Sequence, residues 1–221
     1  MLNAVIFDMD GLLIDSEAFW QEEEVNVFRS LGVPISLDML KETYGLGTNE
    51  VIAHWHSFKP WTGVSFTEVR ETIFTRMEKR IQKESVLKEG AIDVLQYFRK
   101  KKMPIALASA SPFSIINAVL DTFGIREQFD FIHSCEREEY EKPHPAIFLS
   151  VAKQFNVKPS SCLVFEDSFV GLLAAKAARM KSCVVPNPNH FTDERFVIAD
   201  LKIESLGKFT DDHYNYLNKI L

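Results

Sequence analysis

The sequence predicts an α/β fold: a parallel sheet with helices on both faces and a second, all-helical segment inserted after the first strand. Three observations predict it. Short apolar runs alternate with helical periodicities along most of the chain. Polar or turn-forming residues follow each run, and an acidic pair, Asp8 and Asp10, follows the first. Residues 16–84 break the alternation, with helical patterns and no convincing strand.

The first run, Ala4-Val5-Ile6-Phe7, is short, β-branched and unbroken, as a strand buried on both faces should be. Gly11 then permits a turn. Four later runs read the same way, at residues 105–108, 131–133, 162–165 and 183–185. Between them, Ile92, Leu95 and Phe98 recur at helical spacing after Gly90. Ile115, Ile116, Val119, Leu120 and Phe123 do so before Gly124, a C-terminal stop. Ile147, Val151 and Phe155 repeat the theme, and the alanine-rich stretch 171–178 is narrow enough to pack closely on a sheet. This is a Rossmann-like parallel-sheet core.

In the insertion, Ser16 is expected to cap a helix running to residue 31, with Glu17 in its first turn and Gly32 ending it. Ser36, Thr48 and Thr67 are expected to cap helices to residues 44, 58 and 83. The predicted division is therefore a catalytic core at residues 1–15 and 85–221 and a helical cap at 16–84, hinged near 13–15 and 85–90. A lid inserted there is expected to overhang Asp8 and Asp10.

The chemistry is read from the strand ends, where ligands bind in open parallel sheets. Asp8 and Asp10 can reach one crevice, and two such close carboxylates repel unless a cation or a proton intervenes. An isolated acidic pair is ordinary turn chemistry. Glu166 and Asp167 at a second strand end add two more carboxylates, whose mutual repulsion would cost a few kcal/mol, on the order of Coulomb energies at these separations. Mg²⁺ resolves that repulsion, since it takes oxygen ligands, few carboxylates and substrate phosphate. Histidine and thiolate ligand patterns for zinc are missing. Ser109 ends another strand, and its hydroxyl with the neighbouring N–H groups, including that of Ala110, makes an anion site at a helix start; Ser111 is expected to be that helix's cap. Lys142, before Pro143 and near Pro145, is held extended, and its ammonium can neutralise a phosphoryl group.

Bulk properties exclude several classes. With 25 Lys and Arg against 31 Asp and Glu, the net charge is −6, a poor field for nucleic acid or an anionic membrane. No apolar stretch approaches the roughly 20 residues of a membrane span, and the N-terminus does not read as a signal peptide. Cys135, Cys162 and Cys183 are odd in number and widely spaced, which fits reduced thiols and a cytoplasmic setting. His54 and His56 point to different helix faces and are expected to pack rather than bind metal. Trp20, Trp55 and Trp61 are expected to build the core of the insertion.

Asp8-Met9-Asp10-Gly11, Ser109, Lys142-Pro143 and Glu166-Asp167 resemble, in order, the four motifs of the haloacid dehalogenase superfamily, and the resemblance covers the whole chain. Asp10-Gly11-Leu12-Leu13-Ile14-Asp15-Ser16-Glu17, Leu107-Ala108-Ser109-Ala110-Ser111-Pro112 and Ser168-Phe169-Val170-Gly171 are similar to the β-phosphoglucomutase-like branch. Within it, the chain looks most like bacterial sugar phosphatases acting on 2-deoxyglucose-6-phosphate and related hexose or hexitol phosphates. The resemblance implies that Asp8 becomes an aspartyl phosphate and that Asp10 is the general acid and base. It implies that Asp8, the Asp10 backbone carbonyl and Asp167 hold Mg²⁺, with Glu166 acting directly or through water, and that Ser109 and Lys142 bind the transferring phosphoryl group.

Mutases of that branch carry a cap histidine where this chain has Trp20, and an arginine in the loop corresponding to Gly45-Leu46-Gly47-Thr48-Asn49-Glu50, which here has no cation. Glu17, Trp20, Gly45, Leu46, Gly47 and Thr48 are the expected substrate contacts of cap and hinge. The expected activity is Mg²⁺-dependent hydrolysis of a small phosphorylated sugar or polyol by a monomer or weak homo-oligomer. The alternatives are a β-phosphoglucomutase-type isomerase and a phosphatase of another small phosphometabolite.

Overall fold

The computed structural model describes residues 1–43 and 45–220. The chain divides into two compact units, Met1–Asp15 with Val86–Leu221, and Ser16–Ser85.

The first unit holds one parallel sheet: β1 (Ala4–Phe7), β2 (Ile105–Ser109), β3 (Phe131–Ser134), β4 (Cys162–Glu166), β5 (Lys181–Val184) and β6 (Leu201–Lys202), in the order β3-β2-β1-β4-β5-β6. The α-helices, in chain order, are α1 (Glu17–Ser30), α2 (Thr48–Phe58) and α3 (Phe66–Glu84) in the second unit, then α4 (Ala91–Lys100), α5 (Phe113–Phe123), α6 (Ala146–Gln154), α7 (Phe169–Ala177) and α8 (Asp211–Lys219) in the first. Strand β6 was not expected. It has two residues, too few for a periodicity to show.

Every residue of β1 is fully buried, because the strand lies mid-sheet with helices over both faces. On one face Ala4, Ile6, Ala106 and Val164 pack with Ile147, Phe148 and Val151 of α6 and Ala174 and Ala175 of α7. On the other, Phe7 stacks on Phe165, centroids 4.8 Å apart, and Phe98 of α4 meets Phe7 at 6.1 Å and Phe165 at 5.7 Å edge-on. Val5 pairs with Ile105 on one side and Leu163 on the other, so the C-terminal ends of β1, β2 and β4 lie side by side. The order of strands reverses between β1 and β4, which is where such sheets open a crevice. The chain leaving β1 is pinned to the chain entering α4 by an antiparallel bridge between Ile14 and Leu87.

In the second unit α3 packs against α1 and α2. Trp55 is fully buried and Trp61 nearly so, both beside Phe28, while Trp20 is half-buried with its ring edge-on to Phe74, centroids 6.2 Å apart. Several expected caps are corrected. Ser16 is the N-cap residue of α1, as expected, but its side chain makes no cap bond. Residues Leu37–Thr43 form a 3₁₀ helix; Tyr44, its expected end, lies outside the described residues. Gly47, not Thr48, is the N-cap of α2, and its N–H donates to Glu50 Oε2. Ser65, not Thr67, caps α3 as a capping box: its hydroxyl accepts from the Glu68 N–H at 3.2 Å, and Glu68 Oε2 accepts from the Ser65 N–H at 2.7 Å. The Ser-x-x-Glu signal was present in the sequence.

Among the described residues no helix is long and apolar enough to cross a membrane, and Cys135, Cys162 and Cys183 are free and buried. His54 Nε2 lies 3.4 Å from Glu42, and His56 faces the Trp61 carbonyl and ring.

Candidate active site

Three strand ends supply the side chains. Asp8 leaves β1 with its N–H bonded to the Phe165 carbonyl of β4 at 3.0 Å, which locks the two strand ends together. Its carboxylate is buried, 6% exposed. Ser109 closes β2, and Glu166 closes β4 with Asp167 next in the chain.

Lys142 reaches this cluster from the segment between β3 and α6, and its peptide bond to Pro143 is cis. Its Nζ lies 2.6 Å from Asp8 Oδ1, 2.7 Å from Glu166 Oε1 and 3.2 Å from the Ala108 carbonyl. All three protons of the ammonium thus have acceptors. Burial opposes the charge on Lys142, but the carboxylates of Asp8 and Glu166 outweigh it and hold its pKa above the ordinary lysine value.

Glu166 has both oxygens engaged. Oε1 takes Lys142, and Oε2 accepts from the Ser168 hydroxyl at 3.0 Å and its N–H at 3.3 Å. This binding pattern makes Glu166 the brace of Lys142. Asp167 enters the cluster through space opened by a glycine. Gly11 has φ +74°, and a Cβ there would stand 2.1 Å from Asp167 Oδ2.

Asp8, Glu166 and Asp167 each offer a carboxylate oxygen, and these oxygens lie within 4.8 Å of one another, the grouping of this kind among the described residues. Three carboxylates against one ammonium leave two negative charges in excess. Burial is the main cause that pushes the Asp8 carboxyl up to about 7; Lys142 pulls it down, and Glu166 and Asp10 add to the rise. A hard divalent cation suits this donor set in both charge and ligand type.

Asp10 turns toward the β2 loop. Its Oδ2 accepts a hydrogen bond from the Ser111 hydroxyl at 2.7 Å, and the Ser109 hydroxyl lies 3.5 Å away. The Ser111 N–H donates to Ser109 Oγ at 3.0 Å, and Ser111 is no helix cap: α5 starts after Pro112 without a side-chain cap. Ser111 was missed as a site residue because Ser-Ala-Ser-Pro reads as a capped helix start, and nothing local reports a partner 101 positions away.

The structure therefore brings together Asp8, Asp10, Ser109, Glu166 and Asp167 at adjacent strand ends of one unit, with Lys142 reaching them from the β3–α6 segment and Ala110 next to Ser109 in the chain. The other expected contacts belong to the helical unit. Glu17 opens α1 and accepts from Gln21; Trp20 lies on the same helix; Gly45 and Leu46 are exposed, and Gly47 and Thr48 start α2.

Comparison with known proteins agrees with the motif reading. Residues 2–179 match the haloacid dehalogenase-like hydrolase family. The chain is 42% identical over 208 residues to hexitol phosphatase B of Escherichia coli K12, covering 94% of each chain. It is 41% identical to the hexitol phosphatase B of Escherichia coli O157:H7, with the same coverage. Among solved structures, β-phosphoglucomutase from Clostridium difficile superposes with a TM-score of 0.83 at 26% identity, over 99% of this chain and 98% of that one.

Proposed function

The chain belongs to the haloacid dehalogenase-like hydrolase family, and we propose that it is a Mg²⁺-dependent phosphatase of small sugar or polyol phosphates working through an aspartyl phosphate on Asp8. The observation that supports this reading is the Asp8–Lys142–Glu166 arrangement beside Asp167: a buried carboxylate held by an ammonium inside an acidic cluster. The substrate class is supported by the 42% identity, over nearly the full length, to a phosphatase named for hexitols.

In this mechanism an Asp8 oxygen attacks phosphorus as the bond to the sugar oxygen breaks, and Asp10 gives that oxygen its proton. Water then attacks phosphorus, Asp10 takes its proton, and Asp8 leaves as carboxylate with inorganic phosphate released. The Ser109 hydroxyl and the Ala110 N–H are assigned to the non-bridging phosphoryl oxygens, and the Lys142 ammonium beside Asp8 exchanges its Asp8 bond for one of them as the phosphoryl group transfers. Asp8, Asp167 and the Asp10 backbone carbonyl, with Glu166 behind Lys142, would hold Mg²⁺, whose charge neutralises phosphoryl oxygens and favours an ionised Asp8. General acid catalysis supplies only about 10²–10⁴, so charge neutralisation and positioning must supply most of the acceleration. The helical unit Ser16–Ser85 is assigned the role of a substrate-selecting cap, with Glu17, Trp20 and Gly45 to Thr48 as its contacts.

The test is phosphate release across phosphorylated hexoses, hexitols, pentoses and nucleotides, with and without EDTA, in the native protein and in Asp8→Asn. Release from hexose or hexitol phosphates that disappears with EDTA and in the variant is expected. Full activity in Asp8→Asn would defeat the assigned nucleophile. Interconversion of glucose 1- and 6-phosphates primed by the bisphosphate, in place of hydrolysis, would make the chain a mutase.

A further inference from the structure

We propose that Ser111 is the positioning residue for Asp10 and fixes the orientation of its carboxyl for proton transfer; the proposal rests on the phosphatase reading above. A serine hydroxyl has one proton, and here it is spent on Asp10 Oδ2 at 2.7 Å. The hydroxyl oxygen can also accept, so the same contact can hold the carboxyl when Asp10 is protonated. When Asp10 is ionised, the same bond holds the carboxylate plane still. Proton transfer depends on such placement, since a donor must lie within hydrogen-bond reach of the departing oxygen.

Ser111 is itself fixed at several points, which separates it from a mobile surface serine. It is buried, 6% exposed. Its N–H donates to Ser109 Oγ at 3.0 Å, and its carbonyl accepts from the Ser134 hydroxyl at 2.7 Å. Ser134 Oγ in turn accepts from the Glu136 N–H at 3.1 Å, and Glu136 Oε2 accepts from the Phe113 N–H at 2.7 Å. The turn that carries Ser111 is thus clamped to the end of β3 from both sides. The step it serves balances simply: the P–O(alcohol) bond breaks as P–O(Asp8) forms, and the proton on the Asp10 carboxyl passes to the alcohol oxygen.

The experiment measures kcat/KM for a series of substituted phenyl phosphates, from phenyl to p-nitrophenyl, in the native protein, Ser111→Ala, Ser111→Thr and Ser134→Ala. The ratio reads only steps up to departure of the alcohol, and the series varies leaving-group basicity at nearly constant shape. Ser111→Ala should lose about tenfold or more on phenyl phosphate, a fraction of the 10²–10⁴ of acid catalysis, and about threefold or less on p-nitrophenyl phosphate, whose anion departs unaided. The Brønsted slope steepens. Ser111→Thr keeps the native slope, and Ser134→Ala steepens it less than Ser111→Ala. Equal losses across the series, an unchanged slope or no loss in Ser111→Ala would overturn the assignment. If the native protein hydrolyses none of these esters and no sugar phosphate, it is the phosphatase reading that fails.

Discussion

Gly171 on α7 and Glu166 at the end of β4 are packed so closely that a Cβ on the glycine would stand 1.9 Å from Glu166 Oε1. That oxygen is also the one bonded to Lys142. A backbone position on a helix therefore sets the placement of a charged pair in the site. Glycine within a helix ordinarily costs about 0.5–1 kcal/mol relative to alanine. Gly171→Ala should nonetheless fail to stabilise, because Glu166 is held by Lys142 and Ser168 and cannot swing aside freely. A fall in kcat/KM of about tenfold or more, by analogy with small displacements of positioned groups, with no rise in Tm, is expected. A higher Tm with intact activity would show that the contact is soft.

Lys142→Met should be strongly destabilising, because the ammonium is buried between its partners. Removing one member of a buried ion pair leaves the others uncompensated and typically costs about 3–5 kcal/mol. Here two carboxylates, Asp8 and Glu166, lose their shared partner. Adding Glu166→Gln removes one of the stranded charges, so the double variant should be less destabilised than the sum of the two singles. Urea denaturation of the four proteins measures this directly; strict additivity would mean that the three groups are not coupled.

Mg²⁺ should raise the native protein's melting temperature, since a ligand bound only by the folded state stabilises it by about 2.7 kcal/mol at a hundredfold excess over Kd. EDTA should reverse the rise. Asp167→Asn and Gly11→Ala should both weaken the response, the first by removing a ligand oxygen and the second by displacing it, because a Cβ at Gly11 would lie 2.1 Å from Asp167 Oδ2. Gly11→Ala carries a backbone penalty as well, from φ +74°. An identical Mg²⁺ response in Asp167→Asn would remove that residue from the ligand set.

Ser65→Ala should destabilise the helical unit by about 0.5–2 kcal/mol through loss of the α3 cap. The cap also has a pH signature. Its bonds from the Ser65 N–H and hydroxyl hold the Glu68 pKa below the usual glutamate value. A depressed carboxyl contributes stability above its unfolded pKa and loses it as pH falls through the folded one. The Tm gap between the native protein and Glu68→Gln should thus be widest near neutrality and close in acid. A gap that stays constant with pH would place the effect elsewhere.

Much of the site was legible in the sequence because its parts sit at the ends of apolar runs. Asp8, Ser109, Glu166 and Asp167 could be located by counting from Ala4-Val5-Ile6-Phe7, residues 105–108 and residues 162–165, with no knowledge of the sheet order. Lys142 could be named from its place before Pro143, but not its two carboxylate partners. The caps Ser65 and Gly47 were missed in favour of Thr67 and Thr48. A threonine near a helical pattern is an N-cap candidate at several registers, and only the backbone bond to Glu68 or Glu50 fixes which residue stands outside the helix. Strand β6 was too short to be read at all.

By itself the chain determined the strands, the helical insertion and the residue types gathered at strand ends, because hydrophobic periodicity and turn chemistry are local properties. Tertiary structure decided the partners: Lys142 shared between Asp8 and Glu166, Ser111 on Asp10, Gly11 and Gly171 making room for carboxylates. Apart from the local approach of Gly171 to Glu166, those contacts span from 24 to 156 positions of chain and exist only after β1, β2 and β4 have been laid side by side, since no local pattern records which distant group a side chain will meet.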